Sequence, residues 1–142
     1  MQLRPYAESD EQAVVELWRA CDLTRPWNNP HRDIERKLQV QRHLFLVGET
    51  EGRIVASVMA GFDGHRGWIN YLAVHPDYQR RGLATRLMHT VEELLLEAGC
   101  PKINLQVRST NASAVGFYKS LGFAQDEVLS FGKRIIPDAT AV

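Results

Sequence analysis

The chain has 142 residues, 44% of them hydrophobic and 24% charged, and its 17 lysines and arginines balance its 17 aspartates and glutamates. This composition excludes a disordered chain and fits one ordinary globular domain, and the balanced charge argues against a general binder of nucleic acid or of membrane surfaces. No apolar run approaches the roughly 20 residues of a membrane span, and no apolar stretch follows Met1, so neither a span nor a signal peptide is expected.

Hydrophobic periodicity and turn residues divide the chain into alternating strands and helices. In chain order we predict a strand at 2–6, a helix capped by Ser9-Asp10, a loop at 22–30, a helix at 32–41, a hairpin at 43–49 and 53–60, a strand at 68–74, a long helix from about Leu83, a strand at 103–108, a short helix capped by Asn111 and a last strand at 128–136. The class is therefore α+β, with a mixed, mostly antiparallel sheet of about six to seven strands flanked by about four helices.

The junction between the strand at 68–74 and the long helix has the properties of an anion site. The first turn of a helix carries free N–H groups at the positive end of the helix dipole. Gly82 removes a side chain where a phosphate would approach the backbone, and Ala84 keeps the next inward position small. Arg80 and Arg81 add charged donors, so the segment suits a pyrophosphate. The alternative is a solvated basic turn before an amphipathic helix.

A tyrosine on the next helix is a candidate proton donor. Tyr118 lies seven positions beyond the cap Asn111, which is about two helical turns, and its hydroxyl can project across the end of the sheet. A phenol has an ordinary pKa of about 10, so it is protonated at neutral pH and suited to giving a proton to a leaving thiolate. The alternative is a core tyrosine whose hydroxyl meets a backbone carbonyl.

The order and separation of these two segments resemble the GNAT superfamily of N-acetyltransferases over nearly the whole chain. The most specific parts are Gln79-x-x-Gly82-x-Ala84 and residues 111–123. Residues 105–114 are similar to the ribosomal-protein N-terminal acetyltransferases of that superfamily. Leu23-x-Arg25-Pro26-Trp27-Asn28 and residues 62–67 look more like the small bacterial YpeA group.

The resemblance implies a single N-acetyltransferase domain over residues 1–142 that moves an acetyl group directly from acetyl-CoA to a primary amine, with no metal. In this reading Tyr118 is the general acid. The residues implied in binding acetyl-CoA are Leu72, Ala73, Val74, Gln79, Arg80, Arg81, Gly82, Leu83, Ala84, Thr85, Asn111 and Phe117. The acceptor is an amine-bearing small molecule or a protein N-terminus. From the composition we expect a cytoplasmic protein without nucleic-acid or membrane partners, and the resemblance makes a homodimer reasonable.

Gln106 departs from the pattern of the N-terminal acetyltransferases, which carry a glutamate base at that position. Because glutamine cannot accept a proton at neutral pH, three outcomes remain open. The acceptor is an amine already partly neutral, such as an α-amino group with a pKa of about 8, or another base acts, or catalysis is lost and the chain is an acyl-CoA-binding sensor. The candidate bases are Glu49, Asp63, His65 and His75.

Three further groups of residues have predicted roles. A polar-aromatic loop either forms one wall of the acceptor site or fills the core beneath it with Trp27. Its residues are Asp22, Arg25, Trp27 and Asn28. Cys21 and Cys100 lack metal-ligand spacing, which fits two thiols in a reducing cytoplasm. A weakly favoured nucleic-acid surface would use Arg80, Arg81, Arg86 and Arg108. Arginine and lysine residues around Arg80, Lys102 and Arg108 instead suit contacts to the ribose phosphate of coenzyme A.

Overall fold

A five-stranded sheet organises the computed structural model, which describes residues 1–138. The strands are β1 (Gln2–Pro5), β2 (Phe45–Thr50), β3 (Arg53–Phe62), β4 (Gly67–Val74) and β5 (Ile103–Leu105), and they lie in the sheet in chain order. The strands from β1 to β4 are antiparallel to their neighbours, whereas β4 and β5 are parallel. A parallel pair needs a crossover connection, and the long helix after β4 supplies it.

Four helices cover both faces of the sheet. They are α1 (Glu11–Ala20), α2 (Pro30–Lys37), α3 (Leu83–Glu97) and α4 (Ala112–Ser120), with short 3-10 turns at Glu8–Asp10, Arg42–Leu44 and Pro76–Tyr78. Side chains alternate across β3, so Val58 packs in a cluster with α3, whereas Met59 packs in a second cluster with α1 and α2. The α+β class and the four predicted helices are confirmed, and the core consists of two layers separated by the sheet.

Local signals placed most element ends correctly. Glu51 and Gly52 both have positive φ, 51° and 75°, and make the two-residue turn of the predicted hairpin between β2 and β3. The predicted cap Asn111 accepts a hydrogen bond from the Ala114 N–H at 3.1 Å. The second helix was misplaced: it begins at Pro30 rather than at residue 32, because the side chain of Asn29 caps it.

The predicted last strand at residues 128–136 is wrong. No backbone pairing is formed there, so the described residues contain five strands rather than six or seven. The apolar residues of this segment include two adjacent pairs, and neighbouring side chains of a strand point to opposite faces, so no single face collects them. The exposed ones are Val128, Leu129, Phe131, Ile135 and Ile136.

One extra residue interrupts the ladder between β3 and β4. Ser57 pairs with Ala73, but the next pair is Met59 with Asn70, so β4 uses two residues where β3 uses one. Tyr71, inside this bulge, has a φ of 51°, which is an uncommon conformation for a bulky side chain. The surrounding structure must therefore hold the bulge in place.

A hydrogen-bond chain through Ser57 holds the bulge. The fully buried Ser57 hydroxyl donates to the Tyr71 carbonyl at 2.8 Å and accepts the Trp18 indole N–H at 2.9 Å. The Trp18 ring stacks on the Tyr71 ring with centroids 3.7 Å apart. The Tyr71 hydroxyl donates to the carboxylate of Asp33 at 2.6 Å. Burial, together with this carboxylate, raises the pKa of the Tyr71 phenol. Side chains of helices α1 and α2 therefore stabilise the bulge from one face of the sheet.

We expect Ser57→Ala to lower the free energy of unfolding by about 1–3 kcal/mol, because it leaves a buried indole N–H and a buried carbonyl without their partner. Denaturant unfolding measures the change. Ser9→Ala, at an exposed position, is the control and should change it by less than about 0.5 kcal/mol. A Ser57→Ala protein as stable as the parent would contradict the bridging role.

Candidate functional site

The two parallel strands separate just before the bulge. Their pairing runs only from Gly67 with Ile103 to Ile69 with Leu105, where β5 ends. The last five residues of β4 therefore have no strand partner on the β5 side within residues 1–138. At about 3.3 Å per residue, this open edge is roughly 16 Å long. An extended chain with amide groups could add to it as a further strand would.

Helix α3 begins directly beside the end of β4. Its first internal bond joins the Arg86 N–H to the Gly82 carbonyl at 3.1 Å, so the N–H groups of residues 83–85 have no partner within the helix. Gly82 has a φ of 76°, no side chain caps the helix, and its first turn has no acidic residue. A Cβ built on Gly82 would meet nothing within 4 Å, so the space in front of these amides is open. The arrangement suits an anion.

An arginine pair surrounds the tyrosine that precedes this turn. The guanidinium of Arg81 lies 5.1 Å from the centre of the Tyr78 ring, and that of Arg53 lies 5.6 Å from it. Arg81 also donates to the Asp77 carbonyl at 3.3 Å. The stack gathers positive charge beside the start of α3. Arg53 and Tyr78 were not predicted, because a contact between residues 25 positions apart leaves no local signal in the sequence.

Tyr118 lies half-buried on α4. Its ring packs edge-on against Phe117 and Phe123, with centroids 5.2 and 5.7 Å away. Burial raises the pKa of its phenol to about 12, so it stays protonated at every physiological pH. The hydroxyl makes no hydrogen bond within residues 1–138. Since no buried side-chain polar atom there lacks a partner, the Tyr118 oxygen must reach solvent. The Tyr118 hydroxyl is therefore a hydrogen-bond donor without a protein partner in this part of the chain.

The structure brings together the three segments that the sequence singled out. Leu72 and Val74 of β4, Leu83 of α3, and Phe117 and Tyr118 of α4 all pack against the same apolar cluster, on the α3 face of the sheet. The groove is thus bounded by the open edge of β4, the start of α3 and the aromatic side of α4.

The remaining predicted contacts surround this groove. Gln79 donates through its side chain to the Val74 carbonyl at 3.1 Å, which draws the loop onto the end of β4. Arg80 is exposed with a φ of 64°. Ala73 is buried and packs on the opposite face, against α1, so only its main chain can face the groove. Asn111 uses its side-chain oxygen as the helix cap, and Ala84 and Thr85 are half-buried in the first turn of α3.

Two of the candidate bases lie far from the end of β4 that precedes α3. Asp63 and His65 occupy the turn between β3 and β4, at the opposite end of β4 from Val74, which an eight-residue strand places about 20 Å away. The Asp63 carboxylate accepts the N–H groups of His65 and Arg66 at 2.8 and 2.7 Å, and these bonds lower its pKa. It organises a turn and is a weak base.

The other two candidates are already engaged. Glu49 pairs with Arg4 at 3.0 Å, and Arg4 also binds Asp10 at 2.7 Å, so this carboxylate belongs to an ion network on the β1 side of the sheet. His75 follows β4, but its Nδ1 accepts a backbone N–H at 3.1 Å and its Nε2 lies 3.0 Å from an Arg53 nitrogen. The structure therefore places no free base from the predicted set beside Tyr118.

Gln106 and Cys21 supply no base either. Gln106 is exposed just beyond β5 and donates to the Ser130 hydroxyl. Cys21 donates its S–H to the Val74 carbonyl at 3.3 Å, and burial raises its thiol pKa. A protonated thiol is a poor nucleophile.

The loop after α1 crosses the opening between β4 and β5. It starts at Cys21, which contacts Val74, and reaches Trp27, whose ring lies 5.8 Å from the guanidinium of Arg108, just past β5. Trp27 is 55% exposed, so it does not plug the core as the alternative prediction required. The loop forms a wall at the mouth of the opening, on the α1 face.

Two searches of the described residues gave negative findings. No group of three or more His, Cys, Asp or Glu side chains within residues 1–138 has the arrangement of a metal site. In the same part of the chain, every helix is too short or too polar to cross a membrane.

Comparison with known sequences identifies close relatives. A family model described as "Acetyltransferase (GNAT) family" matches residues 11–123. An acetyltransferase of Pectobacterium atrosepticum is 49% identical over 97% of this chain and 98% of its own length. One from Sodalis glossinidius is 50% identical over the same shares of the two chains.

Comparison with solved structures supports the fold. The aminoglycoside acetyltransferase AAC(6')-Iy, in complex with a bisubstrate analogue of CoA, superposes with a TM-score of 0.77 at 17% identity, covering 94% of this chain and 97% of its own. The ribosomal-protein-S18-alanine N-acetyltransferase of Escherichia coli gives 0.75 at 24%, covering 88% and 78%. At these identities the likeness shows a shared fold and does not transfer a substrate.

Proposed function

The chain belongs to the GNAT family of acetyltransferases, and on that premise we propose that it transfers an acetyl group from acetyl-CoA to a primary amine in one direct step. The observation that carries the proposal is the open edge of β4 beside the uncapped start of α3. An extended amide-bearing arm fits the first, and a diphosphate fits the second. Acetyl-CoA contains both groups in one molecule.

In this proposal the donor is held mainly by backbone groups. The pantetheine arm runs along residues 72–74 and uses the main-chain groups that β5 leaves without a partner. Its pyrophosphate meets the N–H groups of residues 81–85, with Arg80 and Arg81 supplying charge. The free amide nitrogen of Asn111 faces the arm, and Phe117 packs beside it. The open space at Gly82 accommodates a phosphate close to the backbone.

The transfer itself needs a neutral amine, an oxyanion site and a donor to sulfur. The neutral amine attacks the thioester carbonyl, and a main-chain N–H at the end of β4 stabilises the tetrahedral oxyanion. As the C–S bond breaks, Tyr118 donates a hydrogen bond and then its proton to the leaving sulfur. The attacking nitrogen loses a proton to water. Holding both substrates in one cleft supplies much of the acceleration.

The raised pKa of Tyr118 limits how far this residue transfers its proton to the leaving sulfur. A value of about 12 exceeds the roughly 8.5 of an ordinary thiol, so full transfer of the phenolic proton to a thiolate is uphill. We infer that hydrogen bonding to the developing negative charge provides most of the stabilisation. The phenol then regains any proton it has given up from solvent, which the exposed hydroxyl oxygen contacts.

A silent acyl-CoA sensor is the second candidate, and the lack of a free base beside Tyr118 is the observation that favours it. A sensor binds coenzyme A without turnover. Measuring thiol release from acetyl-CoA against a panel of amines, together with calorimetry of coenzyme A, separates the two functions.

We expect Gly82→Ala to weaken coenzyme A binding about ten-fold, because its Cβ occupies the space in front of the α3 amides. Calorimetry measures the Kd. Gly52→Ala is the matched control, since Gly52 has nearly the same φ and equally open surroundings in a distant hairpin. Equal Kd values for the two variants would show that the start of α3 does not bind the diphosphate.

Tyr118→Phe should lower kcat about 100-fold while leaving the Kd of acetyl-CoA nearly unchanged, because the lost hydroxyl acts only on the departing sulfur. Steady-state thiol release gives kcat. Tyr6→Phe removes a phenol that burial also gives a pKa of about 12, in the opposite core layer, and should leave kcat intact. An unchanged kcat in Tyr118→Phe would remove this residue from the mechanism.

The pH dependence should follow the acceptor rather than the enzyme. We expect kcat/KM to rise with the neutral fraction of the amine, with a midpoint near pH 8 for an α-amino group and above 10 for a lysine. Tyr118 adds no alkaline decline below about pH 12, because burial raises its pKa and so retains the proton. A midpoint that stays fixed when the acceptor is changed would reveal a base on the enzyme.

A further inference from the structure

We propose that the acceptor amine carries a carboxylate, as in an amino acid or a short peptide, and that Arg108 binds this carboxylate at the mouth of the opening between β4 and β5. This inference rests on the proposed acetyltransferase function and deepens it. The observation behind it is the charge of the wall that faces the opening on the α1 side of the sheet.

In this proposal Arg108 lies at the mouth through which the acceptor enters. It follows the end of β5, and its guanidinium lies over the Trp27 ring at 5.8 Å, on the loop that begins beside Val74. A guanidinium over an aromatic ring keeps its in-plane N–H groups available. These groups form a fork whose spacing matches a carboxylate. Arg108 is therefore positioned and still able to bind an anion.

The other arginines around the opening already have partners. Arg25 donates to the carbonyls of Asp22 and Thr24 at 2.9 and 2.8 Å and thereby shapes the loop. Arg134 binds the side chain of Asn28 and lies 3.7 Å from Asp138. The exposed guanidinium of Arg108, in contrast, makes no hydrogen bond or ion pair with any residue between 1 and 138. It is the cation left to meet a substrate.

The wall as a whole favours an anionic acceptor. The carboxylate of Asp138 is shared between Arg36, at 2.6 Å, and Arg134, and Arg36 also pairs with Asp33 at 3.4 Å, so these two arginines and two acids balance. Asp22 lies 3.5 Å from Arg25 and is balanced by it. Together with Arg108 the wall holds more positive than negative groups, which repels a polycation such as an aminoglycoside or a polyamine and attracts a carboxylate.

The rim also limits the size of the acceptor. Asp138 accepts the backbone N–H of Asn29 at 2.9 Å, and Arg134 contacts Asn28, so the segment after α4 is fastened to the loop before α2. The mouth is therefore enclosed by the loop on one side and by this segment on the other. A small acceptor or the first residues of a peptide fit such an entrance better than a folded protein surface does.

Paired acceptors test the proposal with the full chain and acetyl-CoA. The first pair is a dipeptide and its C-terminal amide, whose α-amino groups have nearly the same pKa. The second pair is a C-terminally amidated peptide with glutamate or with glutamine at its second position. A polyamine is the cationic arm. We expect the carboxylate member of at least one pair to show about ten-fold higher kcat/KM, and the pair that responds identifies the source of the carboxylate.

Arg108→Gln connects this preference to the residue. It should raise KM for the carboxylate acceptor about ten-fold and erase the difference within the pair, while leaving KM for acetyl-CoA unchanged. Arg66→Gln, in the turn at the far end of β4, is the control and should change neither constant. Increasing salt should reduce the preference in the parent protein and have little effect in Arg108→Gln.

Three results would overturn the inference. One is equal kcat/KM within both pairs, and another is a preference that survives Arg108→Gln. The third is a raised KM for acetyl-CoA in Arg108→Gln, which would assign the arginine to the donor. Each of these leaves the acetyltransferase function standing. If coenzyme A does not bind, or no acceptor of any charge releases thiol, the proposed function itself fails.

Discussion

The bulge in β4 is the constraint on which the site depends. The bulge at Tyr71 changes the direction of β4, and within residues 1–138 the strand has no partner on the β5 side after Ile69. The buried hydroxyl of Ser57 stabilises this geometry by satisfying the displaced carbonyl and the indole of Trp18 at once. A single buried serine thus links the core layer under α1 to the shape of the groove.

The two faces of the sheet have different tasks around that opening. On the α3 face, main-chain amides and arginines near Gly82 create a positive, polar surface, and Tyr118 adds one free hydroxyl. On the α1 face, the loop bearing Trp27 lies beside Arg108. In the proposed function, donor and acceptor approach from these two faces and the open strand edge connects them, which is the geometry that direct transfer between two bound molecules requires.

Local sequence signals anticipated much of the fold, and the misses share one cause. The Asn111 cap, the turn at Gly52 and the start of α3 after Gly82 depend on residues adjacent in the chain, and each was predicted from the sequence. The bulge was not, because Tyr71 adopts a positive φ only with Trp18 stacked on its ring and Asp33 bound to its hydroxyl. The stack of Arg53 on Tyr78 is equally non-local. Residues 128–136 were predicted to form a strand, although the order of their apolar residues gives no consistent face.

Cys21 adds a consequence for the chemistry of the thioester. Its sulfur lies against the Val74 carbonyl, next to the strand edge along which the pantetheine arm is proposed to run. An ionised thiol at that place would compete with the amine and capture the acetyl group on the protein, or form a mixed disulfide with the released coenzyme. Burial raises the pKa of Cys21 and keeps the sulfur protonated. The hydrogen bond to Val74 also occupies its proton, so in the proposed mechanism the contact that holds Cys21 at the end of α1 would disfavour self-acetylation.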